Sequence, residues 1–291
     1  MLVSEIFDQY RRAQLRLTRA PQRAEYAWKH LEPEFGSAEH DRVTGLIPAY
    51  VQGRSASRAT VARELAVLSA SLHWAYRFGL IGSCPFIPRL SDSSPVRSRV
   101  LTDEEIAALL RESAAWLPWL NTFVKLALLT GQRRNAIADL TWDRVDFNNG
   151  VVDFNDPNLK NASRAKGRGW VPMSSDLRDL LLELYGQQYG PYVLHHNGKQ
   201  VRWINPAFRL LCKRVGIANA TPHTLRHTVA TRLVQKGVPI QDVQRLLGHR
   251  SVRTTEKVYV KYSPEFIRKA VEHLTIGEHS EDKRVEKQSK A

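Results

Sequence analysis

Cysteine is scarce in this chain of 291 residues: Cys84 and Cys212 stand far apart, with no C-x-x-C pair. That excludes a disulfide framework and a cysteine-based zinc site, and it implies reduced thiols in a cytoplasmic setting. No apolar run reaches the roughly 18 residues that a membrane-spanning helix needs, and the N-terminus lacks a secretory pattern, so no membrane partner is expected. No G-x-x-x-x-G-K-[ST] occurs, so no nucleotide-phosphate loop is written here and no cofactor is expected. There is no internal repeat. Acidic residues are few beside basic ones: 29 Asp and Glu against 43 Lys and Arg leave a net charge of +14 and a pI of about 10. An excess of that size points to a polyanionic partner, most simply nucleic acid. Hydrophobic residues make up 43% of the chain, which is globular composition, and the length allows two domains with cores of their own.

Residues 1–90 read as mostly helix. Val3 to Leu17 is amphipathic, Glu25 to Leu31 carries Tyr26 and Trp28, and Pro33 and Gly36 are expected to break that second helix. Ser57 to Phe78 is the strongest helix, with Val61, Leu65, Leu68, Leu72 and Tyr76 spaced as a buried stripe and Arg58, Arg63 and Arg77 on the polar side. Residues 91–100 have linker composition, polar, basic and proline-containing.

A second domain, 101–276, opens at Thr102, where T-D-E-E forms a capping box with Glu105. Trp116 to Phe123 reads as core, and an apolar helix from Trp119 is closed by Gly131. Q-R-R-N-A-I-A-D-L then starts another helix, holding Arg133 and Arg134. Residues 145–154 predict a hairpin on an Asn-Gly turn, Asp143 and Asp146 flanking it in local hydrogen-bonding roles. A basic connection, 160–169, leads into a strand at Trp170 to Pro172. Helices are expected over 175–185, from Asn205 to about Val215, and over 263–274, with a small Asn197-Gly198 hairpin between the first two. His195 and His196 read as a solvated polar turn. The tail 277–291 has no apolar periodicity and is expected to be disordered.

The stretch from His223 to Tyr259 carries the chemistry. Pro222 opens a helix on which His223 and Arg226, three apart, share a face. Gly237 stops it. A short helix over Ile240 to Leu247 ends at Gly248 and presents His249, and Tyr259 follows ten positions later. Two imidazoles, a guanidinium and a phenol suit phosphate chemistry: Arg forks onto phosphate oxygens, His moves a proton or donates a bond, and Tyr attacks. His223 and His227 also sit at metal-pair spacing, but Thr224 stands where a zinc helix wants Glu, and Arg226 would repel the ion. His227 reads as a supporting group.

T-G-Q-R at 130–133, D-L-T-W-D-R-V-D-F after it, H-T-L-R-H at 223–227, L-L-G-H at 246–249 and T-T-E-K-V-Y at 254–259 occur in order. Together they resemble the tyrosine recombinases of the phage-integrase family. S-R-A-T-V-A-R-E-L-A-V-L-S-A and W-A-Y-R-F-G-L-I resemble that family's helical core-binding domain. The resemblance implies a mainly α architecture with a small β-sheet (α+β), in which a helical, SAM-like domain and a catalytic domain form a C-shaped clamp on duplex DNA. It implies a site-specific recombinase or integrase that cuts and rejoins DNA through a 3′-phosphotyrosyl link without ATP or metal, as a homo-tetramer on two paired sites. Arg133 and Arg226 would clamp one phosphate, His249 would add a bond, His223 would take the proton from Tyr259, and Lys166 would protonate the leaving 5′ oxygen. Arg58, Arg63 and Arg134 are DNA-contact candidates. The helix over 263–274 would dock on a neighbouring subunit or pack on its own domain. A separate arm-binding domain is not expected.

Three departures stand out. The family commonly has an acid three residues after the first arginine, where this chain has Ala136. Lys160 competes with Lys166 for the lysine role, and Tyr262 with Tyr259. Two other functions remain open from sequence: a type IB-like topoisomerase, and a DNA-binding protein without catalysis, in which Arg133 has no role.

Overall fold

The computed structural model describes residues 1–18, 21–90, 99–156, 168–187 and 189–248. Lys160, Lys166, His249, Tyr259, Tyr262, the helix expected over 263–274 and the tail 277–291 lie outside them. The described chain divides into two compact units, residues 1–90 and 99–248.

The first unit is helical: α1 (Val3–Ala13), α2 (Pro21–Phe35), α3 (Val43–Gly53) and α4 (Arg58–Arg77). Val3, Ile6, Phe7 and Tyr10 line the buried face of α1, at the spacing that brings successive turns onto one side. Phe7 stacks on Trp28 of α2 with ring centroids 4.1 Å apart, a contact of about 0.5–1.5 kcal/mol beyond the area it buries. Ser57 caps α4 by accepting the Thr60 N–H at 3.2 Å. Glu64 is buried on α4. It accepts from the Tyr50 hydroxyl at 2.7 Å and from two nitrogens of Arg54, which locks α4 to α3.

Two expectations fail here. Pro33 does not break α2, which runs to Phe35. A proline φ near −65° fits a helix, only one bond is lost so close to the end, and Phe35 is fully buried. Tyr76 is half exposed, and Ala75 is buried in its place. Steps of four, three, four and three from Val61 track 3.6 residues per turn, whereas a final step of four drifts off the face.

The second unit begins with α5 (Asp103–Trp116), α6 (Pro118–Thr130) and α7 (Arg134–Ala138). Thr102 Oγ1 accepts the Glu105 N–H at 3.2 Å and Glu105 returns a carboxylate to the Thr102 N–H at 3.0 Å, the expected capping box. Leu120, Phe123, Val124 and Leu126 of α6 are buried, but Trp116 and Trp119 are only partly so. Leu117 breaks the helical path between them, so the segment is not continuous core.

A three-stranded antiparallel sheet follows, in the order β1 (Val145–Asp146), β2 (Val151–Asp153), β3 (Trp170–Pro172), with Val145 opposite Val152 and Val152 opposite Val171. In the β1–β2 turn, Asp146 accepts the Asn148 and Asn149 N–H groups at 2.9 Å, and the Asn149 bonds hold its carboxyl below the usual range. After α8 (Ser175–Gly186), His195 and His196 form a strand, β4 (His195–His196), not a free turn. It pairs with β5 (Lys199–Gln200), and Asn197 and Gly198 both take positive φ between them. Three helices close the described chain: α9 (Ile204–Arg214), α10 (Pro222–Gln235) and α11 (Ile240–Leu247). Helix α9 starts one residue before the expected Asn205. Contacts to α5, α7, α8, α9 and α10 put α6 at the centre of this unit. The fold is mainly α with small sheets, as the motifs implied. No helix among the described residues is long and apolar enough to cross a membrane.

Candidate active site

Two loops and one helix bring the described candidates together. Helix α6 must end abruptly for the chain to reach Arg133. Gly131 supplies the stop, in the left-handed region at φ +62°. A Cβ at that position would lie 2.9 Å from Leu247 Cδ2 and 3.2 Å from Val229 Cγ1, so the turn is pressed against α10 and α11. The Thr130 hydroxyl accepts the Gln132 N–H at 3.2 Å. Arg133 follows as the residue before the first turn of α7. It is partly buried, and burial lowers the pKa of its guanidinium, which stays protonated at neutral pH.

Helix α10 presents the other two. Thr221 and Thr224 cap its start, with the Thr221 N–H on Thr224 Oγ1 at 2.9 Å and Pro222 in the first turn. Thr228 Oγ1 accepts the Leu101 N–H at 2.9 Å, which fixes the helix against the entry to α5. His223 lies in the first turn and Arg226 one turn on. Arg226 is 2% exposed. Its Nη1 donates to the Gly131 carbonyl at 3.0 Å and its Nη2 to the Leu247 carbonyl at 2.6 Å. These bonds use two of the five donors of a guanidinium.

The electrostatics of His223 tie the three residues together. Burial, then the His227, Arg226 and Arg133 charges, lower its pKa from 6.5 to about 4. His223 as a residue is exposed, so the cationic neighbours rather than burial secure the direction, and the positive end of the helix dipole acts the same way. At neutral pH His223 is therefore an uncharged imidazole, able to accept a proton. His227 meets it edge to face, ring centroids 4.5 Å apart, and its own pKa is lowered by burial and then by Arg226. Among the described residues no three His, Cys, Asp or Glu side chains gather as metal ligands.

The rest of the expected set divides. Arg134 is partly buried beside Arg133, with Nε on Asn135 Oδ1 at 3.0 Å. Arg58 and Arg63 are exposed on α4, in the other unit. Lys166, His249 and Tyr259 are not among the described residues. Ala136 is buried at 1%, and the carboxylate of this segment comes three residues later, on Asp139. Sequence reasoning also missed Gln132. Its side chain is 2% exposed and donates through Nε2 to the Leu246 carbonyl at 2.7 Å, so the 130–133 turn holds the end of α11 directly. Its Oε1 has no hydrogen-bond partner among the described residues. Only its place beside Arg133 could have flagged it.

Residues 99–265 match the model of the phage integrase family. The integrase of Salmonella phage P22 is 27% identical over 259 residues, a match covering 84% of this chain and 63% of the relative. Tyrosine recombinase XerC of Corynebacterium glutamicum is 27% identical, covering 69% of this chain and 67% of the relative. XerD of Lacticaseibacillus casei is 27% identical, with 79% and 82% covered. Among solved structures, the Tn1549 transposon integrase in complex with circular intermediate DNA superposes with a TM-score of 0.77 at 20% identity, covering 93% of this chain and 99% of that one. A lambda integrase tetramer bound to a Holliday junction gives 0.76 at 17% identity, covering 89% and 77%. At such identities the structural likeness speaks for the fold.

Proposed function

From the membership of this chain in the phage integrase family, we propose that it is a tyrosine-type site-specific recombinase that breaks and rejoins double-stranded DNA. The observation that supports the reading is that an uncharged His223 stands within reach of the charges of both Arg226 and Arg133. Two guanidinium groups set beside a proton acceptor are what nucleophilic attack on a phosphodiester requires.

In this mechanism the Tyr259 oxygen attacks the scissile phosphorus and its proton passes to His223. A bound phosphate adds negative charge beside that imidazole and moves its pKa back up, which makes it a better base when substrate is present. Arg133, Arg226 and His249 meet the charge that builds on the non-bridging oxygens. The bond from phosphorus to the 5′ oxygen breaks, and that oxygen takes a proton from Lys166. The 3′-phosphotyrosyl link keeps the bond energy, so a 5′ hydroxyl rejoins the strand by the reverse steps, without nucleotide hydrolysis. Residues 1–90 serve as a DNA-binding domain to which Arg58 and Arg63, both exposed on α4, contribute, and residues 101–276 as the catalytic domain. A homo-tetramer on two paired sites, working in the cytoplasm, completes the reading. The lambda integrase tetramer supports the assembly by analogy.

Incubating the chain with random-sequence duplexes and recovering DNA that survives denaturation as a protein adduct tests the reading. Recovery of one sequence on protein through a 3′ phosphate supports it. Tight binding with no adduct would leave only a DNA-binding protein.

A further inference from the structure

Helix α11 has little apolar packing to hold it. Of its eight residues only Val243 and Leu247 are buried, in a small cluster with Ala230 and Val234 of α10 that is separate from the main core. Leu246 packs on that core only partly buried. An element with so few buried contacts opens easily unless polar ties fix it. Two side chains supply such ties among the described residues. Gln132 Nε2 donates to the Leu246 carbonyl at 2.7 Å, and Arg226 Nη2 donates to the next carbonyl, Leu247, at 2.6 Å. Arg226 Nη1 reaches the Gly131 carbonyl at 3.0 Å, one residue before Gln132. The 131–132 turn and the end of α11 are thus joined twice, once by Gln132 directly and once through Arg226. Gln132 is itself fixed from behind. Its N–H is on Thr130 Oγ1 at 3.2 Å, and that hydroxyl donates to the Leu126 carbonyl of α6 at 2.6 Å.

We propose that Gln132 is a positioning residue for the phosphate-binding guanidinium groups of Arg226 and Arg133. The inference rests on the recombinase reading above and deepens it. At 2% exposed, Gln132 cannot reach the DNA itself. Arg226 keeps one direction only if the Gly131 and Leu247 carbonyls keep one separation, because its two bonds run to both. Gln132 sets that separation through a neighbour of each: it follows Gly131 in the chain and bonds the residue before Leu247. It also directly precedes Arg133, so the same tie limits where that side chain starts. The step it serves is the build-up of charge on the non-bridging oxygens during attack on phosphorus. Donors meet that charge only when well placed, and a misplacement of about 1 Å can cost on the order of a hundredfold in rate.

The test uses the full chain on a nicked duplex of the sequence it selects, with the scissile phosphate unmodified or as either phosphorothioate diastereomer. Sulfur is a larger atom and a weaker acceptor than oxygen, so the non-bridging position held by a well-aimed guanidinium suffers more from the exchange. Gln132→Met removes the donor at nearly the same volume. Because Gln132 Oε1 has no partner among the described residues, the change leaves only the Leu246 carbonyl unpaired. The variant should bind the duplex within about twofold of the unsubstituted chain, since one phosphate among many is affected. It should form adduct on the unmodified phosphate about tenfold or more slowly. The ratio of rates on the two diastereomers should move toward one by about threefold or more. Gln132→Asn, whose amide stops one methylene short of the Leu246 carbonyl, should shift the ratio the same way. Slow adduct formation with an unchanged ratio would make Gln132 a fold brace only, as would failure of both variants to fold. Normal adduct formation by both would remove it from the reaction. Each of these outcomes overturns the proposal, whereas an unsubstituted chain that forms no adduct refutes the recombinase reading instead.

Discussion

The Nη2 of Arg226 donates to the carbonyl of Leu247 at 2.6 Å. Leu247 is the last residue of α11, and the sequence next to it is Gly248-His249. Arg226 also holds Gly131, two residues before Arg133. One guanidinium therefore ties together the two chain ends from which other phosphate-binding candidates start. In the proposed reaction Arg226 is both a support of the site and a ligand for the phosphate.

Replacing Arg226 by Lys should cost more than activity. A lysine head cannot span the Gly131 and Leu247 carbonyls, and leaving one buried without a donor costs about 1–3 kcal/mol. Urea unfolding should show a loss of that size, together with loss of adduct formation. Unchanged stability would mean that the two carbonyls do not depend on this side chain.

The depressed pKa of His223 has a signed consequence for stability. Between about pH 4 and 6.5 the unfolded chain binds a proton that folded His223 refuses, so stability falls as pH drops through that window and is independent of this group above it. His227 is shifted the same way. Unfolding midpoints at about pH 7 and about pH 5 should differ less in His223→Gln than in the unsubstituted chain. An equal difference in both would show that His223 titrates normally.

Much of this was legible because helix ends are written locally. Pro222, Gly237 and Gly248 mark α10 and α11, and Thr102 with Glu105 marks the start of α5, each through residues within four positions of one another. The order of Arg133, His223 and Arg226 was legible as a motif. What holds them was not. Gln132 meets Leu246, Arg226 meets Gly131 and Asp139 meets Arg168 across 114, 95 and 29 residues, and no local spacing encodes such pairs. Tyr76 misled because a single step of four keeps a helical face, and only the sum of the steps from Val61 carries it off that face and leaves Ala75 on it.

The +14 charge predicts a steep response to salt. If about six to ten phosphates are engaged, affinity for duplex DNA should fall by about three to five decades between roughly 50 and 200 mM salt. Fluorescence anisotropy across that range measures the slope. A nearly flat response would contradict extended contact with the phosphate backbone.

The most direct measurement is mass-spectrometric mapping of the covalent adduct formed on a nicked suicide duplex. The expected product is a 3′-phosphotyrosyl group on the peptide containing Tyr259. Tyr259→Phe should give no adduct at nearly unchanged DNA affinity, because only a hydroxyl is removed, and Tyr262→Phe should retain the adduct. An adduct that persists in Tyr259→Phe and disappears in Tyr262→Phe would contradict the assignment, and no adduct from the unsubstituted chain would contradict the mechanism.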